Sequence, residues 1–329
     1  GGAAAATAEQ ATPSGVMLPA CPEAGLNFSK DAPLIPRKAY DVPLANEGVL
    51  RLGSRTLIMG VVNVTPDSFS GDGHTDPAQA IAKGLALVDA GADILDVGGE
   101  STRPGATPLD AETEERRVGP VIEALVNQTM VPISVDTYKA GVARAALNRG
   151  ASLVNDVSGL RYDPNLAGEV AVRRAGLILS HTRGRSSDMY SQASYKAVAE
   201  EIITELEWSL EAASNAGISR EHVIVDPGLG FAKRAEHSMA ALGQLDLFRL
   251  LGRPILVGPS RKSFFTAVLG DVPPDEREWG TAGAVAASVL LGAHVVRVHG
   301  VREMVDVVRV ADSIRMHREG IGFTAADQS

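Results

Sequence analysis

The residues able to do chemistry recur at one kind of place. Short apolar runs end in hydrogen-bonding or charged side chains, and this happens eight times. Asn63, Thr65 and Asp67 follow the first run. Asp96 ends the second, and Glu100, Ser101, Thr102 and Arg103 come just after it. Asp136 closes the third, Asn155 and Asp156 the fourth, His181 the fifth and Asp226 the sixth. Ser260, Arg261, Lys262 and Ser263 follow the seventh, and Arg297 and His299 the eighth. The starts of the runs carry no comparable set.

The residue types narrow the chemistry. Two carboxylates and an amide (Asp136, Asp226 and Asn155), held at fixed strand ends, suit a flat heterocycle with several N–H donors and a carbonyl. An aminopyrimidinone such as guanine or a pterin has that edge. Lys262 can donate to a ring carbonyl or ring nitrogen. Arg297 and His299 match phosphate oxygens, and the side-chain oxygen of Asn63 suits Mg2+.

Something must bring eight run ends together. The runs are "TLIMGVV", "ADILDVG", "VPISVD", "SLVND", "GLILSH", "HVIVDPG", "PILVGPS" and "HVVRVHG". Helix-like stretches separate them, among them "DPAQAIAKGLALVDAG", with Asp76 as N-cap, Pro77 at the first helical position and Gly91 beyond the end. β-branched runs alternating with helices imply a parallel sheet covered on both faces. Eight units fit a closed (β/α)8 TIM barrel, in which all strand C-termini meet on one rim; a doubly wound open sheet is the structural rival. Ahead of the barrel, "YDVPLA" and "VLRLG" predict a short β-hairpin turning near Asn46–Gly48. The expected organisation is a flexible N-terminal extension over 1–40, the barrel over 41–320 and a C-terminal tail over 321–329.

The 329-residue chain is 45% hydrophobic and 22% charged, the balance of a globular protein. A formal net charge of -9 argues against a general nucleic-acid binder. One cysteine, Cys21, precludes an internal disulfide framework. Without a long apolar run or a signal-peptide pattern, the expected location is cytoplasmic and away from the membrane.

Each motif also has a plainer reading. An Asp after a strand often caps a helix, "DPG" is a turn signal, and "GLGFAK" is weak evidence for a phosphate loop. The histidines lack HxH or HExxH spacing, so His181 and His299 are expected in a substrate site rather than on a transition metal. There is no G-x-S-x-G elbow for a serine nucleophile. One rim collecting eight such coincidences outweighs the separate plain readings.

"GVVNVTPDSFS", "ILDVGGESTRPGA", "SVDT", "NDVSG", "VDPGLGFAK", "GPSRKS" and "RVH" resemble, in order and spacing, the motifs of bacterial dihydropteroate synthases. The resemblance spans about residues 45–317. It implies a pterin-binding TIM barrel, usually a homodimer, that joins 4-aminobenzoate to 6-hydroxymethyl-7,8-dihydropterin diphosphate in folate biosynthesis and is blocked by sulfonamides. Carried over motif by motif, Asp136, Asn155, Asp226 and Lys262 would hold the pterin. Asn63, Arg297 and His299 would hold diphosphate, with Mg2+ on Asn63. Thr102, Arg103, Pro104, Phe231 and Ser263 would shape the aminobenzoate site, with the N-terminus of a helix starting near Ser263 receiving the aminobenzoate carboxylate. Asp67 would order the first loop, and Asp67, Arg103, Asp136, Lys262, Arg297 and His299 would serve the chemistry. The rivals are a corrinoid-linked methyltetrahydrofolate methyltransferase, which would not need "TPDSFS", "STRPG" or "SRKS", and a non-catalytic pterin-binding homologue, which should have lost the diphosphate residues. Three departures stand out: "SGDG" at 70–73 for the commoner "SDGG", Ser180 for a frequent Met, and Gly300 for a usual Asp.

Overall fold

The computed structural model describes residues 36–65, 76–101 and 106–320. Asp67, Thr102, Arg103, Pro104, the "SGDG" variant, most of the N-terminal extension and the C-terminal tail lie outside the described residues.

The predicted hairpin is present. β1 (Tyr40–Pro43) pairs antiparallel with β2 (Val49–Leu52), and the turn uses positive φ at Asn46 and Glu47. The barrel then alternates strand and helix: β3 (Leu57–Asn63), α1 (Pro77–Asp89), β4 (Ile94–Gly98), α2 (Ala111–Gln128), β5 (Ile133–Asp136), α3 (Ala140–Asn148), β6 (Leu153–Asp156) and α4 (Leu166–Arg173). It continues with β7 (Gly176–Ser180), α5 (Val198–Asn215), β8 (Val223–Asp226), α6 (Ala235–Gly243), β9 (Leu256–Val257), α7 (Thr266–Leu269), α8 (Glu278–Leu290), β10 (Val295–Val298) and α9 (Val301–Arg318). All eight predicted runs are strands. They pair in parallel in the order β8-β7-β6-β5-β4-β3-β10-β9. A single bridge, Val225 to Ile255, joins β8 to the segment entering β9 and closes the barrel. The open-sheet rival is thereby excluded.

Local signals fix the first helix as expected. Asp76 accepts the Ala78 N–H at 2.9 Å, Pro77 occupies the first position, and Gly91 follows the end with φ +106°. α2 has the same device, Asp110 accepting from the Thr113 N–H at 2.8 Å.

Two apolar layers position the rim. One lies between the strands and the helix ring. The other is inside the base, where Val42, Leu44, Leu50 and Leu52 of the hairpin pack on Leu57, Ile94, Leu153, Ile178, Ile224, Leu256 and Val295. The hairpin therefore plugs the N-terminal mouth. Side chains on a strand alternate between faces, so two residues beyond each plug contact the chain points inward again. Ile94 leads to Asp96, Leu153 to Asn155, Ile178 to Ser180, Ile224 to Asp226 and Val295 to Arg297. Within the stretch expected as extension, 1–40, the Arg37 side chain is buried, donating to the Gly53 carbonyl at 3.0 Å and pairing with Asp312 of α9 at 3.1 Å. No helix among the described residues is long and apolar enough to cross a membrane.

Candidate active site

The rim is organised around one guanidinium. Arg297 of β10 donates from Nε to Asp96 Oδ2 at 2.6 Å and from Nη2 to Asp136 Oδ2 at 2.8 Å. Asn155 Nδ2 donates to the same Asp96 oxygen at 2.8 Å. Asp96 is fully buried, and its Oδ1 has no hydrogen-bond partner among the described residues. Four strands are thus tied across the barrel mouth by one ion-pair network. Asp96 had a place on the rim in the sequence but no role; the signal was its position two residues after Ile94.

Burial sets the electrostatics. It pushes the Asp136 carboxyl up to about 7, against the pull of Arg297. It draws the Lys262 ammonium down to about 8, helped by Arg297 and opposed by Asp226 and Asp136. Burial also raises Asp226. Both oxygens of Asp226 have internal donors: Oδ1 takes the Gly228 N–H at 2.8 Å and Oδ2 the Ser180 hydroxyl at 2.9 Å. The turn reading of "DPG" is therefore correct as well, and Ser180 supplies Asp226 with a hydrogen bond.

His299 lies among cations. Burial and then Arg297, Arg261, Lys83 and Lys262 lower its pKa to about 3, so the ring is neutral. Ser260 Oγ accepts the His299 backbone N–H at 3.2 Å and lies 3.0 Å from Nδ1. Cations converging from α1, the loop after β9 and β10 make this corner electropositive. Lys83 of α1 and Arg261 had no role beside His299 in the sequence.

Lys262 Nζ stands 4.1 Å from the Phe231 ring centroid. The loop carrying Phe231 is cinched from inside by Lys233. That fully buried ammonium donates to the carbonyls of Gly228 at 3.1 Å and Phe231 at 3.0 Å. A Cβ on Gly228 would lie 2.0 Å from the His181 carbonyl oxygen, so only glycine fits there. Lys233 was quoted in a motif but given no function; a lysine directly after a Gly-rich turn was the available signal.

Two expectations need correcting. His181 does not face the site: Nδ1 lies 2.8 Å from Lys233 Nζ and Nε2 lies 3.1 Å from Glu205 Oε2, both within the protein. The helix expected to begin near Ser263 is a 3-10 turn, Ser263–Phe265, followed by the four residues of α7. That is too short to act through a helix dipole. Asp156 resolves as structural, accepting the N–H groups of Ser158 at 2.8 Å and Leu160 at 2.6 Å. Glu100 braces the second loop, taking the Tyr138 hydroxyl and the Leu109 N–H, both at 2.8 Å. Asn63 ends β3 on the rim, partly exposed. The described site residues Asn63, Asp136, Asn155, Asp226, Phe231, Lys262, Ser263, Arg297 and His299 all lie on the C-terminal face of the barrel.

A rim of buried and half-buried carboxylates beside a cationic corner has relatives. The family model described as "Pterin binding enzyme" matches residues 59–299. Dihydropteroate synthase of Synechocystis is 41% identical over 263 residues, covering 80% of this chain and 91% of that protein. This chain belongs to the pterin-binding enzymes, in the dihydropteroate synthase family. Among solved structures, Xanthomonas albilineans dihydropteroate synthase with 4-aminobenzoic acid matches at TM-score 0.77 and 41% identity, covering 83% of this chain and 98% of that one. The Yersinia pestis dihydropteroate synthase with a sulfonamide drug matches at TM-score 0.78 and 36% identity, covering 82% and 98%. Against this dihydropteroate synthase background, neither Ser180 nor Gly300 displaces a residue of the rim network.

Proposed function

We propose that the protein is a dihydropteroate synthase, joining 4-aminobenzoate to 6-hydroxymethyl-7,8-dihydropterin diphosphate with release of diphosphate. The observation that carries this reading is the Asp96–Arg297–Asp136 network set between a carboxylate-lined bowl and the cations around His299. Asp136, Asn155, Asp226 and Lys262 bind the pterin edge; Arg297, His299 and Asn63 take the diphosphate.

The chemistry follows from charge. The methylene C–O bond breaks with its electron pair leaving on diphosphate. Arg297 and a neutral His299 receive that charge; a Ser260 hydroxyl proton directed at Nδ1 would leave the ring proton on Nε2 as the donor. The cation left on the methylene spreads into the dihydropterin ring, near Asp136 and Asp226. The aminobenzoate nitrogen then forms the C–N bond and loses a proton, in an SN1-like transfer. Phe231, Ser263 and the Thr102–Arg103–Pro104 stretch shape the aminobenzoate site, and Asp67 serves the first loop. Positioning supplies much of the acceleration.

The residues suit Mg2+ arriving with the diphosphate. Among the described residues no group of three or more His, Cys, Asp or Glu side chains is placed to hold a metal, whereas Mg2+ commonly uses one or two protein oxygens plus substrate phosphates. Asn63 would be that protein ligand, and the ion would neutralise leaving-group charge. The bowl is also a sulfonamide target, as in the Yersinia relative. A second copy of this chain is proposed to cover Val268, Leu269 and Trp279, the last 86% exposed. The cytoplasm is the proposed location.

Incubating purified protein with both substrates and Mg2+ tests the reading: equal amounts of diphosphate and dihydropteroate are expected, and their absence would reject it. The pH dependence has a defined sign. Asp136 acts as carboxylate and Lys262 as ammonium, so kcat/KM for the dihydropterin diphosphate should rise through about 7 and fall above about 8. A flat profile between pH 6 and 9 would contradict these assignments.

A further inference from the structure

Arg261 lies between two residues of the site, Ser260, which holds His299, and Lys262. Its backbone is left-handed, with φ +58°, a conformation unfavourable for any side chain but glycine. Three residues at the start of α8 hold it there. Thr281 Oγ1 accepts the Arg261 N–H at 3.1 Å. Arg277 Nη1 donates to the Arg261 carbonyl at 3.2 Å. Glu278 Oε2 accepts from Arg261 Nε at 3.1 Å. Flipping Arg261 to ordinary backbone angles would redirect both of its neighbours.

Glu278 reaches this place through a gap in the opposite wall. A Cβ on Gly300 would lie 2.3 Å from Glu278 Oε1 and 2.9 Å from Glu303 Oε2. That Oε1 is buried and has no hydrogen-bond partner among the described residues. A buried, half-paired carboxylate oxygen is costly, and here it fills the volume a side chain at residue 300 would use. Gly300 is the N-cap of α9, directly after His299, so Glu278 bridges the two loops that carry Ser260, Lys262 and His299.

We propose that Glu278 is a positioning residue for the reaction centre: through Arg261 it fixes Ser260 and Lys262, and Gly300 is the complementary gap that admits its carboxylate. The inference rests on the synthase reading above. It requires that the carboxylate's place in space, not its place in the sequence, is what matters. A carboxylate carried on residue 300 should therefore substitute for one carried on residue 278.

The test compares wild type, Glu278→Ala, Gly300→Asp and the double variant. For each, steady-state kcat and KM are measured for both substrates, and inorganic diphosphate binding with Mg2+ by calorimetry. Glu278→Ala should lower kcat/KM for the dihydropterin diphosphate by about tenfold or more and weaken diphosphate binding, because displaced groups lose alignment. KM for aminobenzoate should change much less. Gly300→Asp alone should also be impaired, by the clash and by like charge. The double variant should recover to within about threefold of wild type, a strong non-additivity for a contacting pair. Glu278→Gln, which keeps the shape and one acceptor, should melt like wild type and show an intermediate loss. Wild-type kinetics in Glu278→Ala, or a double variant whose loss is the product of the two single losses, would overturn the proposal. A wild-type protein that forms no product would reject the synthase reading instead; the diphosphate titrations across the four proteins would still decide the role of Glu278.

Discussion

Lys262→Ala is expected to lower kcat/KM on the order of 100-fold or more, the scale of removing one preorganised donor from a water-poor site. The lysine is partly buried, with Asp226, Asp136 and Arg297 in its electrostatic surroundings and the Phe231 ring 4.1 Å from its ammonium. Its loss removes the proposed donor to the pterin edge and the cation beside the Phe231 ring, which is proposed to shape the aminobenzoate site. Both substrates should therefore bind less well, and turnover should fall as well. Lys262→Arg should not restore activity, because a planar fork cannot occupy the place of a compact ammonium. Initial rates with each substrate varied in turn check this; a variant within a few-fold of wild type would remove Lys262 from the chemistry.

Asp136→Asn should abolish measurable pterin binding while leaving a folded protein. The side chain keeps its volume, but the carboxylate that would accept from the pterin ring is gone, and an amide NH2 can be turned toward Arg297. A site built to pair polar groups rejects an unpaired one by several orders of magnitude. Arg297 would keep Asp96 as its partner at 2.6 Å, so the guanidinium is not left alone and the barrel should hold. Breaking a buried pair outright costs about 3–5 kcal/mol; the remaining Asp96 contact is what should spare most of that. Calorimetry with the dihydropterin diphosphate measures the loss, and thermal melting checks the fold. Retained micromolar affinity would show that the pterin is read elsewhere.

The strands and the rim were legible because period-2 burial and polar run ends are local properties. The inward direction of Asp96 and Asp136 follows from Ile94 and Ser134 two residues earlier. What escaped is non-local. Nothing near Arg297 in the chain names Asp96, 201 residues away, as its partner. His181 looked like Asp226 in its setting, yet the buried Lys233, 52 residues on, takes its Nδ1. Nothing near Gly300 in the chain names Glu278, whose carboxylate fills the space beside it. Ser180 likewise gains meaning only beside Asp226.

The closing seam of the barrel has a further consequence. β9 is two residues long, and an isolated bridge at Val225–Ile255 joins β8 to the residue just before β9. Asp226 stands immediately above that bridge on one side, and Lys262 on the loop that leaves β9 on the other. Opening there requires the fewest backbone bonds to part, so it is where local unfolding would begin. A pterin held by both residues would span the seam as a rivet. Substrate binding would then stiffen the cylinder as a whole, and the ligand would act as a missing rung of the sheet.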